Sequence, residues 1–238
     1  MLAIAVNAID KVAARWNKAV MANSSGEPVR AKGGWRRAEM AAIALAVGLF
    51  LIQTAWKALR APWLVEDFPE ALYIKVELLP WIFPAHMITG GLALLLVPAM
   101  ILASSRPAWH RRLARVTVPV VVVAGLTAFP VALVAPVTAV SSWGFAAQGA
   151  VWLALLGLGI WHVRHGRIAQ HRACMLLMAA TTTGAVFFRI YLALFALYGH
   201  PRQYQQFYAI DAWIAWTLPL LAMAFFLKRT GAIAPLPR

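Results

Sequence analysis

His86 and Arg189 interrupt long apolar runs, and the dipeptide His-Arg occurs twice, at His110-Arg111 and at His171-Arg172. These are the side chains whose types and spacing could do chemistry. Imidazole ligates metals and exchanges protons near neutral pH, and guanidinium holds carboxylates and phosphates. The first chemistry that fits is redox, with haem b as the cofactor. His86 would be an axial ligand, Gly90 one helical turn on would leave room for a flat macrocycle, and the arginines would neutralise propionates. A second is copper. His171, Cys174, Met175 and Met178 stand at i, i+3, i+4 and i+7, one face of a helix, and soft sulfur ligands suit Cu(I). Such a stripe also packs as ordinary core. A third is anion binding, because Arg111 and Arg172 follow helix starts, where a cation opposes the macrodipole unless an anion shares the site. That anion is a lipid phosphate or belongs to a cofactor or substrate.

The elements that must position these residues are membrane helices. Charged residues make up 13% of the 238 positions and mean hydropathy is +0.71, against about 25% charged in a soluble domain. Six runs are long enough to cross a hydrocarbon core as helix, at about 38–56, 81–103, 116–138, 144–163, 171–198 and 211–227. The expected fold is therefore all-α, a six-helix transmembrane bundle over 38–227 followed by a tail, 228–238. Residues 1–37 precede it as an amphipathic surface helix, apolar through Ile4, Ala8, Val12 and Ala13, and a polar linker. The start lacks the order of segments that marks a cleaved signal peptide. The acidic, aromatic connection PWLVEDFPEALYIKVELLP suggests a short helix on the surface.

Basic residues orient the bundle. Seventeen Lys and Arg fall on the N-terminal segment, the 104–115 and 162–172 loops and the tail, against four on the opposite loops. By the positive-inside rule both termini are cytoplasmic, in a bacterial inner membrane. Glu66, Asp67, Glu70, Glu77 and Asp211 then lie on or near the outer side. In HVRHGRIAQHR, Arg164 and Arg167 suit the C-terminal end of the fourth helix and Gly166 its left-handed cap. The net charge of +14 comes with no nucleic-acid recognition motif, so the expected partners are the bilayer, its anionic head groups and other membrane subunits rather than nucleic acid. A single cysteine excludes an intrachain disulfide.

Ionisable residues inside a span are costly and usually have a partner or face a watery cavity. Asp211, at the outer start of the sixth helix, is the expected counter-ion of Arg189. No Walker loop, zinc-protease motif or serine nucleophile elbow occurs, which leaves hydrolysis and ATP-driven work without machinery. Besides the redox reading, two classes remain open. One is a non-catalytic accessory subunit or lipid-interacting protein. The other is a small transporter, with Pro84, Pro98, Pro119, Pro130 and Pro136 breaking helices around a cavity.

The segments His86-Met-Ile-Thr-Gly90, Trp109-His-Arg-Arg-Leu-Ala-Arg115, Gly144-Phe145, Trp152, Arg164-His-Gly-Arg167 and His171-Arg-Ala-Cys-Met175, followed by Thr182 and Arg189, resemble the bacterial membrane proteins grouped as DUF2306. The resemblance covers about residues 80 to 195. It departs at Ala114, where the family usually has glycine, and at Cys174, where it usually has an aromatic residue. The family brings no activity with it. It implies only that His86, His110, Arg111, His171, Arg172 and Arg189 are the positions to examine.

Overall fold

A computed structural model describes residues 32–60 and 70–230, with only the backbone path for 32–44 and 70–73. The expected N-terminal amphipathic helix, the end of the tail and Glu66 and Asp67 lie outside these. Among the described residues eight α-helices follow in order: α1 Lys32–Arg60, α2 Glu70–Leu78, α3 Ile82–Leu102, α4 Pro107–Leu133, α5 Ala139–Arg164, α6 Ile168–Thr182, α7 Gly184–Tyr198 and α8 Tyr204–Arg229. Among the described residues there is no strand. Five stretches of the described residues are long and apolar enough to cross a membrane: Ile82–Ser105, Pro107–Leu133, Ala139–Arg164, Ile168–Tyr198 and Pro201–Arg229. α1 contains the first expected span, 38–56, and α2 forms in the acidic connection. The chain is thus an all-helical polytopic membrane protein.

Most helices are longer than the apolar runs that announced them. Hydropathy sees only the stretch in contact with hydrocarbon, whereas backbone hydrogen bonding continues into the polar boundary. α4 starts at Pro107, nine residues before the expected 116, because proline is preorganised for the first helical position and its missing N–H costs nothing there. α5 starts at Ala139, where Thr138 and Ser141 form a reciprocal capping box. The expected fifth span, 171–198, falls within the stretch Ile168–Tyr198 and is built of two helices that meet at Thr183. The C-terminal end of α5 bears out local readings: Gly166 takes φ +71° after the helix, and the Arg167 guanidinium lies over the Trp161 ring.

α3 with α4, and α5 with α6, form two antiparallel pairs closed by short turns. His110 and His171 are each the fourth residue of the second helix in their pair, and each ring reaches back to the first. His110 Nδ1 is 3.1 Å from the Met100 carbonyl oxygen, and His171 Nδ1 is 2.8 Å from that of Gly159. A carbonyl oxygen only accepts, so Nδ1 donates in both. Between the pairs, Val97 and Ile101 of α3, Val121 of α4, Leu156 of α5 and Met178 and Ala179 of α6 make the main apolar core. α1 lies along α3, and a second small core joins Ala55, Leu94 and Val186. α8 completes the bundle against α5, α6 and α7. It comes so close to α5 that a Cβ on Gly144 would sit 2.9 Å from the Ala212 carbonyl oxygen. Large apolar side chains such as Leu126, Leu158, Leu221 and Phe225 face outward, as lipid-facing helix surfaces require.

Candidate functional site

α3, α4, α5, α7 and α8, with Ala58 of α1, Lys75 of α2 and Thr182 of α6, line a partly open cavity of about 440 Å³ in the half of the bundle away from the basic loops. Its walls are mostly apolar: Phe83, Met87, Leu94, Ala128, Phe145 and Trp152 among others. Into them are set His86, Gln148, Thr182, Arg189, Tyr204, Tyr208 and Lys75, with no Asp or Glu among the described lining residues. The cavity exists because small residues face it. A Cβ placed on Gly90 would meet nothing within 4 Å, whereas its neighbour Gly91 is pressed against Ala55, Ala58 and Leu59 of α1.

His86 is held by α4. Its Nδ1 lies 3.1 Å from the Ala124 carbonyl oxygen and 3.3 Å from Thr127 Oγ1. Nδ1 therefore donates to the carbonyl, and the neutral ring keeps the lone pair of Nε2 for another partner. This is how proteins orient a histidine that ligates through Nε2. The same logic applies to His110 and His171, whose Nδ1 atoms are engaged by the helix pairs.

Arg189, on α7, donates from Nη1 to the Ala185 carbonyl oxygen at 2.7 Å, one helical turn back. It is within electrostatic reach of His86 and of Tyr208. The structure thus brings together the two intramembrane residues that the sequence singled out, with Gly90 beside them. It does not form the expected Arg189–Asp211 pair. Asp211 is fully buried on α8 and neither carboxylate oxygen has a hydrogen-bond partner. Tyr208, one turn before it, is in electrostatic reach of both Asp211 and Arg189. Phe145, Phe188 and Tyr208 stack edge to face, with centroids 5.2 to 5.9 Å apart, and fix the phenol at the cavity wall.

Lys75 was counted in the sequence only as a basic loop residue. In the structure it is buried, and its Nζ donates to the carbonyl oxygens of Val131, at 2.7 Å, and Val134. Those carbonyls end α4, where proline at 136 and φ +43° at Ala135 stop the helix. A cation is favourable there because the last carbonyls lack partners. Burial pushes the Lys75 ammonium below the ordinary lysine value. The only sequence trace of this role is a lysine one turn before a proline-bounded helix start, a pattern too common to single out.

The remaining candidates fall elsewhere. Arg111 and Arg172 are exposed at the basic end. Cys174 and Met175 gather with His171 around Gly159: Cys174 Cβ and Met175 Sδ would lie 3.3 and 3.5 Å from a Cβ there. Met178 is buried in the main core. The sulfur stripe thereby closes the α5–α6 contact, and among the described residues no group of three or more His, Cys, Asp and Glu is placed to hold a metal ion.

Helices of this length and apolarity, wrapped around a polar-studded cavity, define a polytopic membrane protein with an internal site. The chain belongs to the DUF2306 family of predicted membrane proteins, whose model matches residues 83–227. The match runs from α3 to α8 and takes in both His-Arg pairs, His86 and Arg189. No curated protein matches the chain. No solved structure does either.

Proposed function

We propose that the cavity binds an apolar molecule carrying an acidic group. The observation that carries this reading is the lining itself: an apolar wall bearing Arg189, Lys75 and His86 and, among the described residues, no acidic side chain. A guanidinium at membrane depth costs about 2.5 to 3.5 kcal/mol on insertion scales. Arg189 spends one donor on Ala185, and the rest suit a carboxylate or phosphate. Haem b belongs to this ligand class, being a flat apolar ring with two acid arms. His86 Nε2 would ligate its iron, Gly90 would admit the ring edge, and Arg189 would hold a propionate. No second histidine lines the cavity, so a haem there would take one histidine ligand from it. Bound haem would supply one-electron redox chemistry, which makes this the redox reading of the same site.

Two measurements test it. Organic extracts of purified wild type and Arg189→Gln are compared by mass spectrometry, and absorption spectra are taken oxidised and after dithionite. A Soret band that survives His162→Ala and is lost in His86→Ala supports haem. An acid amphiphile recovered from wild type and depleted in Arg189→Gln supports the wider class. Extracts and spectra that do not change with Arg189 or His86 overturn both. The transporter reading uses the same cavity and differs in what the bound molecule does next, whereas in the accessory-subunit or lipid-interacting reading the histidines and arginines only shape loops and bind head groups.

The placement proposed with this function is a bacterial inner membrane crossed six times, α1 included, with both termini cytoplasmic. It is supported by the basic asymmetry of the loops. Arg111 and Arg172 would then meet anionic head groups. In a Cys174→Ala background, cysteine at Ser105 or Arg167 should resist an impermeant thiol reagent in intact cells, and cysteine at Gln203 should react. The reverse order overturns the orientation.

A further inference from the structure

Lys75 lines the same cavity as Arg189, yet it comes from α2, outside the long helices. Of the side chains described on α2 it is the one that is buried, and the one that reaches the lining. An ammonium has three donors. Two go to the carbonyl oxygens of Val131 and Val134, and a helix end brings only about half an elementary charge. One N–H and part of the positive charge are left over. Arg189 likewise spends Nη1 on the Ala185 carbonyl and keeps the rest of its fork. The described lining holds no acidic residue, and Asp211, whose carboxylate has no hydrogen-bond partner, lies outside it. Two cations thus face one cavity with no counter-charge in its described wall. They do not stand together. α7 packs on α8, whereas α4, which holds Lys75, packs on α3 and α5. The Arg189 anchor, Ala185, follows Gly184, whose Cβ would meet the Gln148 amide, and next to Gln148 a Cβ on Gly149 would lie 3.5 Å from that of Ala128 on α4. Val131 and Val134 come later on α4, roughly 5 to 9 Å further from the basic loops at 1.5 Å per residue.

We propose that the cavity selects a ligand with two separated acidic groups, one held by Arg189 and the other by the remaining N–H of Lys75, with the apolar part of the molecule between them. This rests on the cavity reading above and narrows its ligand class from acids to diacids. A molecule with one acidic group would satisfy Arg189 and leave the Lys75 ammonium enclosed without an anion, which is unfavourable. Two cations on different walls and at different depths are also too far apart for the two oxygens of one carboxylate. Charge-assisted hydrogen bonds at both ends would fix the molecule's direction in the cavity as well as its affinity. His86 stands between them in character, its neutral ring donating Nδ1–H to Ala124 and adding no charge to be matched. The two acid arms of a porphyrin and the two ends of an apolar dicarboxylic chain share this chemistry, and the His86-dependent Soret band separates the first source from the second.

The test uses full-length protein in zwitterionic-lipid nanodiscs, with dodecanedioic acid and its monomethyl ester as probes. The two have the same chain and differ in one acidic group. Binding is read by isothermal titration at about pH 8, where carboxyl groups in water are ionised, with empty nanodiscs as the blank for partition into lipid. Wild type should bind the diacid about tenfold more tightly than the monoester, the worth of one charge-assisted hydrogen bond. Lys75→Gln, whose amide still donates to Val131 and Val134 but carries no charge, should abolish that advantage and leave the monoester unchanged. Arg189→Gln should weaken both probes. A diacid advantage that is absent from wild type, or that survives Lys75→Gln, overturns the two-point site, and it spares the cavity reading where Arg189→Gln still weakens the monoester. Probes that bind alike to wild type and Arg189→Gln overturn both. The comparison of the two probes is made on wild type, so it decides the matter even where Lys75→Gln fails to fold.

Discussion

At the residue scale, histidine does two jobs in this molecule with one tautomer. His86, His110 and His171 each donate Nδ1–H to a backbone carbonyl of another helix, yet only His86 lines the cavity. The other two fasten the helix pairs at the basic end. Replacing His110 or His171 with alanine should cost about 1 kcal/mol each, the net worth of a hydrogen bond, and somewhat more where the carbonyl is left without water. The double variant should be additive within about 0.5 kcal/mol, since the two bonds lie in separate helix pairs. Denaturation in mild detergent checks this, and a large coupling would mean that the two histidines share a partner. Lys75 behaves differently. Lys75→Met should destabilise through the carbonyls of Val131 and Val134, and it should also change the pH profile. Below the lowered folded-state value both folded and unfolded chains carry the charge. Between that value and the ordinary 10.5 the unfolded chain binds more protons, so stability rises with pH in wild type. In Lys75→Met that rise should be absent from thermal melts taken across this alkaline window.

At the element scale, the apolar middle of each crossing was legible in the sequence, because about twenty uncharged residues have few other uses. The helix ends and the break at Thr183 were not. The break lies inside an unbroken apolar stretch and depends on tertiary partners: Gln148 Nε2 donates to the Thr181 carbonyl at 3.2 Å, and Trp152 Nε1 donates to Thr182 Oγ1 at 2.8 Å. Hydropathy carries no record of such contacts. His86, Gly90 and Arg189 were legible as a group because a costly residue in a span needs a reason. Lys75 was hidden because its burial arises only when α2 folds over the end of α4. Asp211 was visible, but its assigned partner was wrong, since residues at one depth on adjacent helices need not face each other. The glycines sort the same way. Gly144→Ala should destabilise by about 1 to 3 kcal/mol, as overpacking against backbone does, because its Cβ would meet the Ala212 carbonyl. Gly90→Ala, which meets open space, should leave thermal stability within about 0.5 kcal/mol. Gly90→Leu should fold and reduce ligand recovery by filling the cavity. A Gly90→Leu protein that retains full ligand would move the site elsewhere.

At the scale of the whole molecule, the two ends of the bundle have separate tasks. The basic end is closed by tight turns and histidine bonds around a packed apolar core, while the opposite half holds the cavity and every buried charge described. The His110–Met100 and His171–Gly159 bonds span only 10 and 12 residues. Each can therefore form as soon as its own hairpin has left the ribosome, with a small loop-closure cost. Biogenesis can then proceed by the insertion of two prefastened hairpins in succession, each entering the lipid with its turn already locked. α8 is the last of the described helices and supplies Tyr204, Tyr208 and Ala215 to the cavity wall, so a chain still tethered at the ribosome would hold both hairpins in place and yet have an incomplete site.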